Sequence, residues 1–213
     1  MTNCPFLAFF SDFDWRAGFP AAVAARLREA LPKPGRLAFI ASDPARHQKI
    51  DQISQGYCRW FREASISFAE VSRIDSRIPP AQARELAARA DCLFLLGGPP
   101  RTQREFLRDT GLDEILRASR AAVNMGSRSL SIEDGKSFWY EGLGLADLTV
   151  RPHFDSGNAA TLAALRSASM DGPILALADE SALFLTSEGL SAVGAVRRIE
   201  GGEVFDIAER RGG

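Results

Sequence analysis

The sequence predicts an α/β fold: a three-layer domain built on a mostly parallel sheet, with an antiparallel β-meander at its C-terminal end. Over the first half of the chain, short apolar segments alternate with segments of helical periodicity, which is typical of a parallel sheet covered by helices on both faces. After residue 173, short strand-like segments are separated by glycine and acidic turns, which favours antiparallel pairing. No linker or repeat divides the sequence, so we expect residues 1–213 to form a single domain.

The first half of the chain is expected to alternate strands with helices. Continuous apolar segments or alternating residues predict the strands, at 5–10, 36–41, 65–71, 92–96 and 121–125. Amphipathic periodicity predicts the helices, at 19–31, 46–64, 79–89, 102–109 and 113–119. Proline agrees with these boundaries, because Pro32 and Pro34 follow the first helix and Pro79 opens the third.

The second half is expected to begin with a helix that starts after a sharp turn at 124–129. A short strand at 148–150 and a helix rich in small residues at 158–169 follow. The meander strands share short length and flanking turn residues, and they lie at 174–178, 182–186, 190–198 and 204–208.

The composition of the chain argues against several classes of function. The chain is 46% hydrophobic and 25% charged with a net charge of -1, so neither nucleic acid nor a membrane is expected as a partner. No apolar segment reaches membrane-spanning length, and the N-terminus lacks the layout of a signal peptide. Three scattered cysteines favour a reducing, cytoplasmic location over a disulfide framework. Two isolated histidines and the lack of G-x-G-x-x-G predict no metal and no cofactor.

The predicted site lies where two strands end, within residues 91–132. The strand at 92–96 runs into Gly97 and Gly98, and the strand at 121–125 runs into a turn centred on Gly126. The carboxyl ends of neighbouring parallel strands are where α/β proteins build their sites. A strand, a sharp turn and a helix also form the nucleophile elbow G-x-S-x-G. Here a glycine stands at the apex of that motif.

The candidate acids and bases are few. Only His47 and His153 could serve as an imidazole base. His47 lies among charged residues at a helix start and is expected at the surface, whereas His153 follows a strand end, where sites are built. The spacing does not choose among the carboxylates that could orient a histidine, namely Glu133, Asp134, Glu141 and Asp155.

Five segments taken together resemble the dipeptidase E and cyanophycinase family of serine peptidases. They are GGPPRTQREFL at 97–107, NMGSRS at 124–129, YEGLGL at 140–145, RPHFD at 151–155 and DESAL at 179–183. The segments occur in the family's order, and the resemblance covers residues 36–208. It implies a type 1 glutamine amidotransferase-like (class I, flavodoxin-like) fold and activity on short acidic peptides.

The resemblance also implies a role for individual residues. His153 matches the catalytic base, and Glu141, in the matched YEGLGL segment, is our choice for the acid that orients it. Gly97 and Gly98 match the turn whose N–H groups form the oxyanion hole, together with the N–H of Ser127.

The elbow departs from the family pattern. Gly126 occupies the position of the nucleophilic serine and offers no reactive atom. Larger side chains replace small residues around it, at Asn124, Ser127 and Arg128. Ser127 and Ser129 either cap the expected helix or act as relocated nucleophiles, and Arg128 is placed to hold an anionic ligand.

Three hypotheses follow from the sequence. The chain is a weak or inactive serine exopeptidase homologue, that is, a pseudoenzyme. Alternatively, it is a non-catalytic protein that binds a small molecule or peptide in the crevice, with Arg128, His153 and the glycine turn as contacts. Alternatively, it is a hydrolase that uses Ser127 or Ser129. The expected partner is a short peptide or small molecule, and the sequence leaves homo-oligomer formation open.

Overall fold

The structure is a computed structural model that describes residues 6–31, 35–119, 121–123, 128–133, 136–141, 143–144 and 148–207. The described helices are α1 (Ala21–Ala30), α2 (His47–Glu63), α3 (Pro80–Arg89), α4 (Pro100–Thr110), α5 (Leu112–Arg117) and α6 (Ala159–Ala168). The described strands of the first half are β1 (Phe6–Phe10), β2 (Arg36–Ile40), β3 (Glu70–Ile74), β4 (Cys92–Leu95) and β5 (Ala121–Val123). Those of the second half are β6 (Arg128–Glu133), β7 (Lys136–Glu141), β8 (Thr149–Arg151), β9 (Ile174–Leu177), β10 (Ala182–Thr186), β11 (Gly189–Val193), β12 (Val196–Glu200) and β13 (Glu203–Asp206).

A seven-stranded sheet in the order β11-β10-β1-β5-β4-β2-β3 forms the centre of the fold. The five strands from β1 to β3 in that order are parallel, and β10 and β11 extend the sheet in antiparallel fashion. β1 and β4 are buried at every residue, as parallel strands that are covered on both faces must be. The predicted mostly parallel sheet is therefore present.

The two faces of this sheet carry different cores. Because side chains alternate along a strand, Phe39 of β2 and Phe94 of β4 pack against α1 and α2, where aromatic rings dominate. Tyr57 of α2 lies 4.5 Å from the Phe94 ring, measured between ring centroids. Ile40 and Leu95 face the other way, into an aliphatic core shared with α3, α4, α5 and the second sheet. No helix among the described residues is long and apolar enough to cross a membrane.

A second sheet, in the order β13-β12-β9-β8-β6-β7, covers part of the aliphatic face. β8 pairs in parallel with both β6 and β9, and the outer pairs are antiparallel. Helix α6 packs on the far side of this sheet, where Leu165 contacts Ile174 and Ile199 within a small buried cluster. The side chain of Asn158 caps α6 by accepting the N–H of Thr161 at 3.0 Å.

The predicted C-terminal meander is confirmed only in part, because its strands are divided between the two sheets. β10 and β11 form a hairpin beside β1, while β9, β12 and β13 belong to the second sheet. The strand predicted at 190–198 breaks at Gly194, which has a φ of +78°. A Cβ atom there would lie 2.9 Å from the carbonyl oxygen of Glu180, so the crossing between sheets requires glycine.

The helix predicted after the turn at 124–129 is wrong. Residues from Arg128 to Glu133 form β6 instead, and this strand pairs Glu133 with Lys136 of β7. Leu130 and Ile132 alternate with polar residues, and Asp-Gly at 134–135 is a typical two-residue hairpin sequence. The alternation of apolar and polar residues therefore indicates this strand better than the strand–turn–helix motif from which the helix was predicted.

The third strand lies later than predicted, at β3 rather than at 65–71. Ser65 has a φ of +60°, and the N–H of Ile66 donates to the carbonyl oxygen of Phe61 at 2.8 Å. Ile66 is also buried among the aromatic residues of α2. These residues therefore close the helix, and the apolar Ile66 that suggested a strand fills the core beside it. The other predicted elements lie within a few residues of the observed ones.

A buried carboxylate joins the end of β3 to α2. Asp75 is fully buried and accepts hydrogen bonds from the guanidinium of Arg77, the shortest at 2.6 Å. The same guanidinium binds both carboxylate oxygens of Asp51, at 2.8 and 3.0 Å. This hydrogen bonding lowers the pKa of Asp51 below its ordinary value.

We expect Arg77→Met to lower the Tm by several degrees, because it leaves the Asp75 carboxylate buried without its cation. The matched control is Arg101→Met, which removes an exposed i,i+4 ion pair and should change the Tm little. Because the Asp51 pKa is lowered in the folded state, the contribution of this pair is present above about pH 4 and is lost as the pH falls through the lowered value. Thermal unfolding at pH 7 and pH 3 should show a gap between Arg77→Met and wild type that narrows in acid. A gap equal to that of Arg101→Met would contradict the assignment.

Candidate active site

His153 and Asp179 follow two adjacent parallel strands, β8 and β9, and so start from the same edge of the second sheet. The Nδ1 atom of His153 lies 3.0 Å from Oδ1 of Asp179. An ionised carboxylate can only accept, so a neutral imidazole donates its hydrogen from Nδ1 and leaves Nε2 with a lone pair. The imidazole is 57% exposed. The pair is therefore arranged as an accessible base held by a carboxylate.

Ser11, which directly follows β1, contacts both members of this pair. Its Oγ atom accepts the backbone N–H of His153 at 2.9 Å and donates to Oδ1 of Asp179 at 2.9 Å. The backbone N–H of Ser11 donates to the carbonyl oxygen of Ser181 at 3.0 Å. These contacts connect the C-terminal end of β1, in the first sheet, to the segments that follow β8 and β9 of the second sheet.

The backbone of His153 has a φ of +55°, in the left-handed region that residues other than glycine adopt infrequently. The hydrogen bond to Ser11 holds one side of this turn. On the other side, the N–H of Phe154 donates to the carbonyl oxygen of Leu177 at 2.8 Å, and the Phe154 ring is buried. The surroundings thus maintain a conformation that would otherwise be disfavoured, as is common at functional sites.

The glycine turn after β4 is braced from β2 and α4. Ser42 donates its hydroxyl to the carbonyl oxygen of Gly97 at 2.7 Å, and Gln103 donates its side-chain amide to the carbonyl oxygen of Leu96 at 3.1 Å. Gly98 has a φ of +154°, and a Cβ atom on it would lie 2.2 Å from the Oγ of Ser42. The close approach of Ser42 therefore depends on glycine at this position.

An open pocket of about 180 Å³ lies beside this turn, with Gly97 and Gly98 in its lining. Ile50 contributes a buried apolar surface, while Arg46 and Lys49 add exposed cationic groups. Arg46 is paired with Asp43 of the same pocket, with 3.0 Å between Nε and Oδ2. The lining therefore combines an apolar surface with a small excess of positive charge.

The elbow lies only partly within the described residues. Gly126 and Ser127 are outside them, whereas the backbone is described for Arg128, Ser129 and Glu141. Arg128 and Ser129 begin β6 and pair with Thr149 and Val150 of β8, the strand that leads to His153. Glu141 ends β7 and pairs with Arg128.

β5 ends at Val123 between the two halves of the site. This residue pairs with Ala8 of β1 on one side and with Phe94 of β4 on the other. Ser11 follows β1 and Gly97 follows β4, so the chain leaves the first sheet between the Ser11 contacts and the glycine turn. It resumes as β6 in the second sheet, beside β8.

Sequence reasoning did not choose Asp179 as a partner for His153, although it lies in the quoted DESAL segment. Its position directly after the strand predicted at 174–178 marked it as a strand-end residue, but the pairing of that strand with β8, which brings it to His153, could not be read from the sequence. Of the predicted alternatives, Asp155 accepts the N–H of Gly157 at 2.8 Å within its own loop, and Asp134 lies outside the described residues. His47, the first residue of α2, contacts the hydroxyl of Ser76 at 2.8 Å.

Two solved structures share this architecture. The crystal structure of a peptidase from an acI-B1 actinobacterium matches 98% of this chain and 96% of its own length, with a TM-score of 0.70 and 15% identity. A candidate peptidase E protein from Listeria monocytogenes EGD-e matches 88% of this chain and 97% of its own length, with a TM-score of 0.63 and 12% identity. The chain has a peptidase-like fold.

The sequence comparisons add no closer relationship, since no protein-family model and no curated protein matches this chain. At 12–15% identity, the structural likeness concerns the fold and not the chemistry. No group of three or more potential metal-ligating side chains occurs within the described residues.

We expect Gly98→Ala to destabilise the protein by about 1–3 kcal/mol, because the added methyl group meets the Ser42 hydroxyl and the backbone stays at positive φ. Gly97→Ala is the matched control, since nothing lies within 4 Å of a Cβ atom at that position. Urea unfolding of the two variants measures the difference. Equal losses of unfolding free energy in both would contradict the proposed close packing at Gly98.

Proposed function

We propose that this protein is a peptidase E-like serine exopeptidase homologue that keeps the catalytic base but lacks the standard nucleophile. It would bind short acidic peptides and hydrolyse them very weakly or not at all. The hydrogen bond between His153 and Asp179 is the observation that carries the proposal. It forms where β8 and β9 end, and it is contacted by Ser11, which follows β1, the strand beside β5.

The chemistry of serine peptidases explains why a retained base does not suffice. In those enzymes the imidazole removes the proton of a serine hydroxyl, and a carboxylate fixes the imidazole tautomer and stabilises the imidazolium that forms. His153 and Asp179 supply these two groups, but Gly126 supplies no hydroxyl. Removing the serine alone from a well-studied serine peptidase costs on the order of a million-fold in kcat. The remaining route is attack by a water molecule that Nε2 of His153 activates, which we expect to be slow.

We propose that Asp179 takes the orienting role that the family resemblance suggested for Glu141. The contact between Asp179 and His153 supports this assignment, and so does the bond from Ser11, which holds the same carboxylate oxygen. The backbone register places Glu141 opposite Arg128, which in turn pairs with Thr149 at the N-terminal end of β8, whereas His153 follows the C-terminal end of that strand.

The pocket beside the glycine turn supports an acidic ligand. Lys49 adds positive charge to a lining that also contains the Arg46–Asp43 ion pair and the apolar side chain of Ile50, and this combination suits a carboxylate on a short aliphatic stem. The same observation favours a second candidate function, a non-catalytic protein that binds such a peptide. A relocated nucleophile is less well supported: Ser129 is the second residue of a strand with partners on both sides, whereas nucleophiles of this class stand at a turn.

We expect Gly126→Ser to gain hydrolysis of Asp-containing or isoaspartyl dipeptides over wild type, because it restores the missing hydroxyl. Product formation is measured by mass spectrometry, with Gly126→Ala as the matched control that adds a side chain without a nucleophile. His153→Ala in the Gly126→Ser background should abolish the gain. Wild-type turnover that a fluorophosphonate label traces to Ser127 or Ser129 would refute the proposal in favour of a relocated nucleophile.

The same Gly126→Ser background tests whether Asp179 or Glu141 orients His153. Asp179→Asn should lower kcat by about 10³-fold to 10⁴-fold, because an amide no longer fixes the Nδ1–H tautomer or balances the imidazolium. Glu141→Gln should leave kcat within a few-fold. The reverse order would return the orienting role to Glu141. Thermal stabilisation of wild type by the dipeptides, with no gain of turnover in Gly126→Ser, would favour the binding protein.

A further inference from the structure

We propose that Ser11 is a positioning residue that holds the Asp179 carboxylate and the His153 backbone in register, so that the imidazole proton stays on Nδ1. This inference rests on the proposed function in that it assigns a part to the same base. Its geometry and its test do not require that the protein catalyse anything.

His153 and Asp179 need a third group to hold them because both side chains are exposed to solvent. The side chains of His153 and Asp179 are 57% and 61% exposed, and an ion pair or hydrogen bond between two such groups has little power to fix either of them. Ser11 is only 8% exposed, and its backbone is bonded to the loop that carries Asp179. The buried hydroxyl is thus the rigid member of the group, and it orients the exposed carboxylate.

Both hydrogen-bonding functions of the Ser11 hydroxyl are used. Its oxygen accepts the N–H of His153, and its single hydrogen points to Oδ1 of Asp179, the atom that also accepts from Nδ1 of the imidazole. One hydroxyl therefore stabilises the left-handed backbone of His153 and selects the carboxylate rotamer that faces its ring. Replacing it would release both constraints at once.

The same contacts exclude Ser11 as the missing nucleophile. Its hydrogen is donated to a carboxylate, and it meets His153 at the backbone nitrogen rather than at Nε2. A nucleophile must instead be exposed and lie within reach of the base. The role that remains for Ser11 is to position the base.

The experiment uses the full chain labelled with ¹⁵N, in which the two histidines give two imidazole spin systems. Ring ¹⁵N shifts, recorded where both imidazoles are neutral, report the ratio of Nδ1–H to Nε2–H tautomers. In wild type His153 should be mainly Nδ1–H. We expect Ser11→Ala to lower that ratio by about two-fold to ten-fold, the weight of one net hydrogen bond, while His47 serves as the internal reference.

The control is Ser181→Ala, which removes a fully buried hydroxyl from the same loop. That hydroxyl contacts the carbonyl oxygens of Ala195 and Asp179 but not the Asp179 carboxylate. It should cost stability and leave the His153 ratio unchanged, whereas Ser11→Thr, which keeps a hydroxyl, should restore the wild-type ratio. An unchanged ratio in folded Ser11→Ala would overturn the proposal.

A second measurement keeps the inference testable if the variants do not fold. In wild type the Ser11 hydroxyl proton, buried and donated to Asp179, should exchange slowly with solvent and give an observable resonance. Exchange as fast as that of an exposed serine would overturn the proposal. Failure of Gly126→Ser to hydrolyse peptides would count against the proposed function and leave these NMR results intact.

Discussion

The parallel strands β1, β2 and β4 carry apolar side chains on both faces, so each face of the first sheet must be covered. Helices α1 and α2 bury the aromatic face, and helices α3 to α5 with the second sheet bury the aliphatic face. The chain crosses between the sheets near Gly194 because β11 is needed beside β10, while β12 is needed beside β9. The layered architecture is thus the solution to covering a sheet that has no polar side.

This arrangement brings strand ends from two sheets to one place. β1 and β4 belong to the first sheet, β8 and β9 to the second, and the residues that follow them supply Ser11, the glycine turn, His153 and Asp179. Ser11 is a direct hydrogen-bonded link across this boundary and contacts both His153 and Asp179. The imidazole depends on that link, because the ring and its carboxylate are both exposed to solvent.

In the proposed function the base is kept and the nucleophile is lost, and these two features have different implications. The left-handed backbone of His153 is costly to maintain, and a network of described contacts maintains it. A disfavoured backbone that is held in this way supports the proposal that the crevice is still used, for binding or for slow water-mediated hydrolysis. The small excess of positive charge in the pocket beside the glycine turn supports the proposed acidic ligand.

The sequence by itself determined the elements whose signal is local. Apolar segments located β1, β2 and β4, amphipathic periodicity located α2 and α3, and the strand-end position singled out His153. The alternation of apolar and polar residues also indicated β6, although the resemblance to a nucleophile elbow led to the prediction of a helix there.

Tertiary structure decided which distant residues meet. Asp179 lies 26 positions from His153 in sequence, and Ser11 lies 142 positions from it. Their contact depends on which strands become neighbours, and on the chain changing sheets between β9 and β10. Strand order is set by the packing of whole sheet faces, and it cannot be read from the periodicity of apolar residues along the sequence. The histidine could therefore be chosen as a candidate from the sequence, while the groups that hydrogen-bond to it could be found only in the folded chain.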